Sequence, residues 1–234
     1  MRGRNGYARK QIRVHSRIRP VLSCHPSNDR AVAEKADAQT FDETLLEIEN
    51  RWAEATYQAT GREKDEALEA LLNDVRDFAE RHSDRPEAAA WHGIIARECI
   101  KSRGRSRSTK LRREAREALL KAESLDPLVL DGLIYANLGA LYSETPSGFG
   151  GKGGNVKGIG YMWRAIVVDP DGLDSNYLYA ELLVDEHRLE EAREILLRAS
   201  TIPARPDHLR ADRCRREQII ALLESVETRL EKST

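Results

Sequence analysis

The chain has 234 residues, a formal net charge of −1, and 40% hydrophobic and 33% charged residues. That is enough material for one domain, or two small ones, around a sizeable core, and the near-neutral balance gives the whole molecule no electrostatic reason to seek nucleic acid or a membrane surface. Leu, Ala, Glu and Arg are abundant while aromatic and β-branched residues are sparse, which argues for helix and against a sheet-rich fold.

Residues 1–40 show no helical periodicity. Arg2, Arg4, Arg9, Lys10, Arg13, Arg17 and Arg19 stand there with no acid among residues 1–22, so the expectation is a disordered basic arm. The "VLSC" at 21–24 looks like a bacterial lipoprotein cleavage box, but the residues before it are basic where a secretory signal is apolar. As written, the chain is expected to be cytoplasmic; a different true start would make it periplasmic. No apolar run approaches the roughly 20 residues of a membrane span.

From Phe41 the pattern changes. Leu45, Ile48, Trp52, Ala55 and Ala59 fall at three- and four-residue steps and stop on Gly61, and Leu68, Leu71, Leu72, Val75, Phe78 and Ala79 follow along a second stripe. These are two amphipathic helices joined by a short turn. Pro86 opens the next helix, where its missing N–H costs nothing, and Trp91, Ile94, Ile95 and Cys99 continue it. The basic run "SRGRSRSTKLRR" at 102–113 interrupts the apolar pattern before Ala115, Leu119 and Ala122 resume it. Further helices precede and follow the glycine-rich stretch at 145–160, then come "SNYLYAELLVDEH", "RLEEAREILLRAS" and a last long helix. The expected architecture is all-α, with about nine helices. Its hairpins are placed at about 41–82, 86–124, 128–169 and 174–201, with a closing helix at about 210–230.

A repeat underlies that series. "KAESLDP" at 121–127, "RAIVVDP" at 164–170 and "RASTIP" at 198–203 end alike; Ala122 and Ala165 are 43 residues apart, Ala165 and Ala199 34. The shorter interval is the tetratricopeptide period of about 34 residues. Tyr135, Leu138, Gly139 and Tyr142 fill the first-helix pattern of that repeat. Ala115, Leu119, Ala122 and Pro127 fill the second-helix pattern, which Ala192, Leu196 and Ala199 fill again, with Tyr179 and Ala180 in the Leu-Gly slots. Small residues there let two helices approach while aromatic and leucine side chains fill the gap. The expected fold is therefore a right-handed superhelical solenoid of tetratricopeptide type. On this reading Tyr135 and Tyr179 are packing residues.

The longer interval places its extra residues mostly in the glycine stretch, so that stretch reads as an enlarged turn within one hairpin. "GFGGKG" at 148–153 satisfies the bare G-x-G-x-x-G string, but that fingerprint has meaning only after a strand in a βαβ unit, and Gly153 stands where a P-loop needs Ser or Thr. A spacer or binding lip is favoured over a nucleotide site.

The segment from Ala115 to about Glu224 resembles a bacterial family of tetratricopeptide-repeat proteins. The residues that carry the likeness are "LDP" at 125–127, "NLGALY" at 137–142, "GFGG" at 148–151, "DPDGLDSNYLYAELL" at 169–183 and "RREQIIALL" at 215–223. The family looks related to the T component of TRAP-type uptake systems, helical proteins thought to associate with a periplasmic solute receptor. The resemblance implies no enzymatic activity.

Three classes of function follow. The leading one is a non-enzymatic scaffold that binds a partner protein, a peptide or a small ligand on a concave face, with Asn137, Tyr142, Phe149, Lys152, Asn176, Tyr177, Glu181 and Asp185 as candidate contacts. An accessory component of a TRAP-type system is a narrower version of it. First-helix positions in the two clearest units supply Leu133, Ala136 and Ala140, then Asp174, Tyr177 and Glu181. No cationic clamp for a carboxylate tail appears among them. The second class is nucleic-acid binding through Arg103, Arg105, Arg107, Lys110, Arg112, Arg113 and Arg116, against which stands the plainer reading of a solvated loop. The third is an enzyme, and no nucleophile stands with a base and an orienting group. Three cysteines far apart and six histidines without ligand spacing suggest neither disulfide nor metal, and no cofactor is expected.

Overall fold

The computed structural model describes residues 26–103, 109–144 and 153–232. Among them are nine α-helices and no strand: α1 Pro26–Tyr57, α2 Gly61–Arg81, α3 Pro86–Ser102, α4 Thr109–Leu125, α5 Leu133–Ser143, α6 Gly153–Val168, α7 Leu173–Asp185, α8 Leu189–Ser200 and α9 Leu209–Glu231. None of these helices is long and apolar enough to cross a membrane.

The chain divides into two units, Met1–Thr40 and Phe41–Thr234. Within the first, Pro26 already opens α1, so the later part of the expected arm is helical. The run "RAVAEKADAQ" lacks an apolar stripe but is built largely from strong helix formers, and Pro26 occupies the first turn, where proline is tolerated. Propensity, not periodicity, makes this first part of the helix. Residues 1–25 lie outside the described residues.

In the second unit, α3 packs on α4, α5 on α6 and α7 on α8. The first members of these pairs also meet in turn, α3 against α5, α5 against α7, and α7 against α9. Trp52 of α1 sets its ring edgewise to Trp91 of α3, centroids 5.4 Å apart, and Phe41 stacks on Phe78 of α2. The small residues of the repeat sit where the helices touch: Ala122, Ala165 and Ala199 are fully buried, and so are Leu119 and Leu196. Tyr135 and Tyr179 are also buried, as expected of packing residues.

Gly139 shows why this packing needs small side chains. A Cβ there would lie 2.8 Å from Met162 Cγ and 2.9 Å from the Gly158 carbonyl, so α5 and α6 meet backbone to backbone. On its other side α6 exposes Val156, Trp163 and Val167, spaced along one helical face.

The expected start of the third hairpin near residue 128 is a 3₁₀ turn, Val129–Gly132, and α5 begins only at Leu133. Three consecutive residues of this turn have positive φ: Leu130 at 52°, Asp131 at 48° and Gly132 at 81°. Glycine adopts that conformation freely, whereas for leucine and aspartate it costs about 1 kcal/mol or more each.

Candidate functional site

Two adjoining cavities lie along the helices α3, α5, α7 and α9. The larger, about 270 Å³, is walled by Thr56, Lys64, Asp65, Glu98, Lys101, Leu178, Arg215 and Gln218. The smaller, about 170 Å³, is walled by Arg97, Lys101, Glu144, Met162, Leu178, Glu181, Asp185 and Leu222 among others. Lys101 and Leu178 belong to both.

The charged side chains are held by one another. Arg97 stands in the middle of α3, a helix otherwise rich in alanine and isoleucine, and only 1% of it is exposed. Its guanidinium donates to Glu144 at 2.7 Å, to Glu98 at 3.2 Å and to Asn137 at 3.4 Å. Burial acts against its charge, and the Glu144 and Glu98 carboxylates outweigh the burial, so it stays firmly protonated. The Arg97 Nε and the second Glu144 oxygen are buried without a hydrogen-bond partner among the described residues.

One turn further along α3, Lys101 donates to both Glu181 oxygens, at 3.0 and 3.1 Å. Tyr177 donates its hydroxyl to the same carboxylate at 3.0 Å. Burial disfavours the Glu181 anion, but Lys101 first and Arg97 and Arg215 after it hold its carboxyl below the ordinary range. Burial and the Glu181 charge push the Tyr177 phenol well above its usual value, so it is a hydrogen-bond donor at any physiological pH.

Arg215 of α9 completes the seam. Its Nε donates to Asp174 and an NH to Gln218, both at 2.7 Å, while its guanidinium lies over the rings of Tyr177 at 4.5 Å and Tyr57 at 5.3 Å. A cation between two aromatic faces, with a carboxylate at its edge, is fixed in both position and charge.

The candidate residues divide accordingly. Tyr177, Glu181 and Asp185 belong to the seam or its cavities. Asn137 and Asn176 do not offer surface contacts: both are buried, and both spend their amides internally. Asn137 donates to the Leu133 carbonyl and accepts from Arg97; Asn176 donates to the Pro170 and Gly172 carbonyls and accepts from Arg198 at 2.8 Å, pinning α7 to α8. Tyr142 is half-buried and belongs to a different cluster, stacked parallel on Tyr161 at 5.6 Å with Lys157 over its ring. Phe149 and Lys152 lie outside the described residues.

Cations absent from the first-helix positions of α5 and α7 come instead from their neighbours, as Arg97 and Lys101 from α3 and Arg215 from α9. The signal for Arg97 and Glu98 was present, since an adjacent ion pair interrupts an apolar helix. In the basic segment, Arg103 pairs with Glu69 at 2.5 Å and Arg113 with Glu117 at 3.7 Å, which leaves less free positive charge there than the composition implies. Among the described residues no group of three or more His, Cys, Asp or Glu side chains is placed to hold a metal ion. No protein-family model matches this chain, and no curated protein matches it either.

Proposed function

We propose that this protein is a non-enzymatic binding module of tetratricopeptide type, a right-handed solenoid that grips a partner segment or small ligand on the face formed by α3, α5, α7 and α9. The observation that carries the reading is the seam itself. Successive first helices contribute Arg97 and Lys101, then Glu144 at the end of α5, then Glu181, held by Tyr177, then Arg215, and these cationic and acidic positions border two cavities rather than a closed core. The neighbour-to-neighbour packing of α3, α5, α7 and α9 and the buried repeat alanines support the solenoid.

The charge distribution gives the face a direction. The larger cavity sets Lys64, Lys101 and Arg215 against Asp65 and Glu98, while the smaller sets Arg97 and Lys101 against Glu144, Glu181 and Asp185. The first favours an acidic group and the second a basic one, so a segment carrying both in sequence fits best. The resemblance of residues 115–224 to relatives of TRAP-type T components makes a solute-uptake system a natural setting for such a module.

The test is an exchange of one ion pair. Lys101→Glu combined with Glu181→Lys retains an internal pair while inverting the charge between the cavities. Proteins and small molecules captured at near-physiological salt by wild type and variant are compared by mass spectrometry. Species held by wild type and lost from a folded variant support the reading; identical capture by both overturns it.

A further inference from the structure

A third cavity, of about 130 Å³, meets the seam only through Asp174 and lies where the turn before α5, the α6–α7 turn and the α8–α9 turn come together against α1 and α3. Two indoles form one corner of its wall. Trp52 and Trp91 meet at an interplanar angle of 64°, and each is at least nine-tenths buried. The indole N–H of Trp52 has no hydrogen-bond partner among the described residues. A buried donor left unmade costs about 1–3 kcal/mol, so its place in a cavity wall points to an acceptor supplied from outside.

The carboxylates of the wall are not equally occupied. Glu49 is bonded to His208, Asp174 to Arg215, and the wall's Arg205 is taken by Asp212 through its backbone N–H, Nε and NH2. Asp131 and Asp169 remain, and neither has an ion pair with any described residue. Burial, followed by the nearby Asp131 charge, pushes the Asp169 carboxyl above its usual range against the help of the Asp171 amide and Arg205. Asp131 is exposed to solvent and Asp169 half-buried, so it is Asp169 that the site leaves short of a cation. Asp131 is held in the left-handed conformation, beside the equally strained Leu130 in the same wall, the kind of backbone outlier that concentrates at ligand sites.

We propose that this cavity binds a small organic cation of the methylated-ammonium class, with the charged head between the Asp131 and Asp169 carboxylates and the Trp52–Trp91 corner, and with a hydroxyl or carbonyl oxygen on its tail accepting from Trp52. A methylated ammonium is too weakly hydrated to resist entering an indole-lined cavity, and indole is the strongest aromatic partner for it. A metal ion would find too few free oxygens here, and a neutral solute would leave the half-buried Asp169 carboxylate unrelieved. The inference stands apart from the proposed function, because the two sites share no wall residue.

Tryptophan emission reads the site directly. The chain has three tryptophans, and Trp163 is exposed, so Trp163→Phe leaves the two cavity indoles as reporters. The full chain with that substitution is titrated with choline, with tetramethylammonium, and with the neutral alcohol in which carbon replaces the choline nitrogen. Choline is expected to give a saturable change, tetramethylammonium a weaker one because it lacks the oxygen, and the neutral alcohol none. Asp131→Asn with Asp169→Asn is expected to weaken choline about tenfold or more, as befits the loss of two charged partners in a partly desolvated site. Both substitutions keep side-chain size, and circular dichroism confirms that the variant is folded. No saturable response to either cation, an equal response to the neutral alcohol, or unchanged choline affinity in the folded double variant overturns the proposal.

Discussion

The Arg97 guanidinium, buried in α3, donates to the Glu144 carboxylate at 2.7 Å across 47 residues of sequence and so ties the third helix to the end of the fifth. Removing one partner of such a pair leaves a largely buried charge without its compensation. Arg97→Met is expected to destabilise the protein by about 3–5 kcal/mol, and adding Glu144→Gln to recover part of the loss. Urea unfolding of the three proteins measures both numbers. Equal stability of Arg97→Met and wild type would mean that the pair contributes nothing.

The repeat alanines give a harsher prediction. Ala199 is fully buried in α8, and an arginine there must either unpack the helix pair or bury its charge, at a cost above about 3 kcal/mol. Thermal melting followed by circular dichroism is expected to show a large fall in midpoint for Ala199→Arg. A wild-type melt would sink the assignment of the repeat register.

Glu181 makes the seam sensitive to acid. Its carboxyl is held below the ordinary range in the folded chain, as are those of Glu114 and Asp212, where burial is likewise outweighed by arginine partners. A carboxyl with a depressed folded value adds stability above its unfolded value and loses it as pH falls through the folded one. The urea midpoint is therefore expected to hold near neutrality and decline from the ordinary carboxylate range downward. Glu181→Gln should flatten that decline in part, since the other two carboxyls remain.

Asp169 runs the other way. Its folded value is raised, chiefly by burial, so its charge at neutral pH opposes folding of the free protein. Asp169→Asn, which retains an acceptor for the Asp171 amide, is expected to raise the urea midpoint at neutral pH and to narrow its advantage as acid protonates the wild-type carboxyl. A lower midpoint for the variant would refute this account of the residue.

Cys99 offers a chemical readout of the core. Its thiol is buried, donates to the Leu68 carbonyl at 3.4 Å and is pushed up to about 12 by burial. The thiolate is the reactive form. Pulsed alkylation with mass spectrometry is expected to label Cys99 only as fast as the chain unfolds, while the half-buried Cys214 reacts sooner.

What could be read in advance was what repeats at short range. Ala122, Ala165 and Ala199, with Leu119 and Leu196, announced the helix pairs because one buried face recurs every three or four residues. The partners of Arg97 and Arg215 could not be read that way, since Glu144 and Asp174 are 47 and 41 residues distant and meet them only once helices stack. Asn137 and Asn176 misled for a related reason. A polar side chain looks like surface in a sequence, yet an asparagine can satisfy its amide on the carbonyl four residues earlier and stay inside, as both do here. The left-handed turn at Leu130 and Asp131 had only Gly132 to mark it, and no local preference of leucine favours that conformation. The part of α1 before Phe41 rests on propensity alone, which a search for apolar stripes passes over.

At Gly139, α5 meets the Gly158 carbonyl of α6 with no side chain between them. The spacing of that hairpin is set where its two helices touch. A hairpin spaced by direct contact between its helices tolerates a change of length in its connection, because each added loop residue costs little closure entropy.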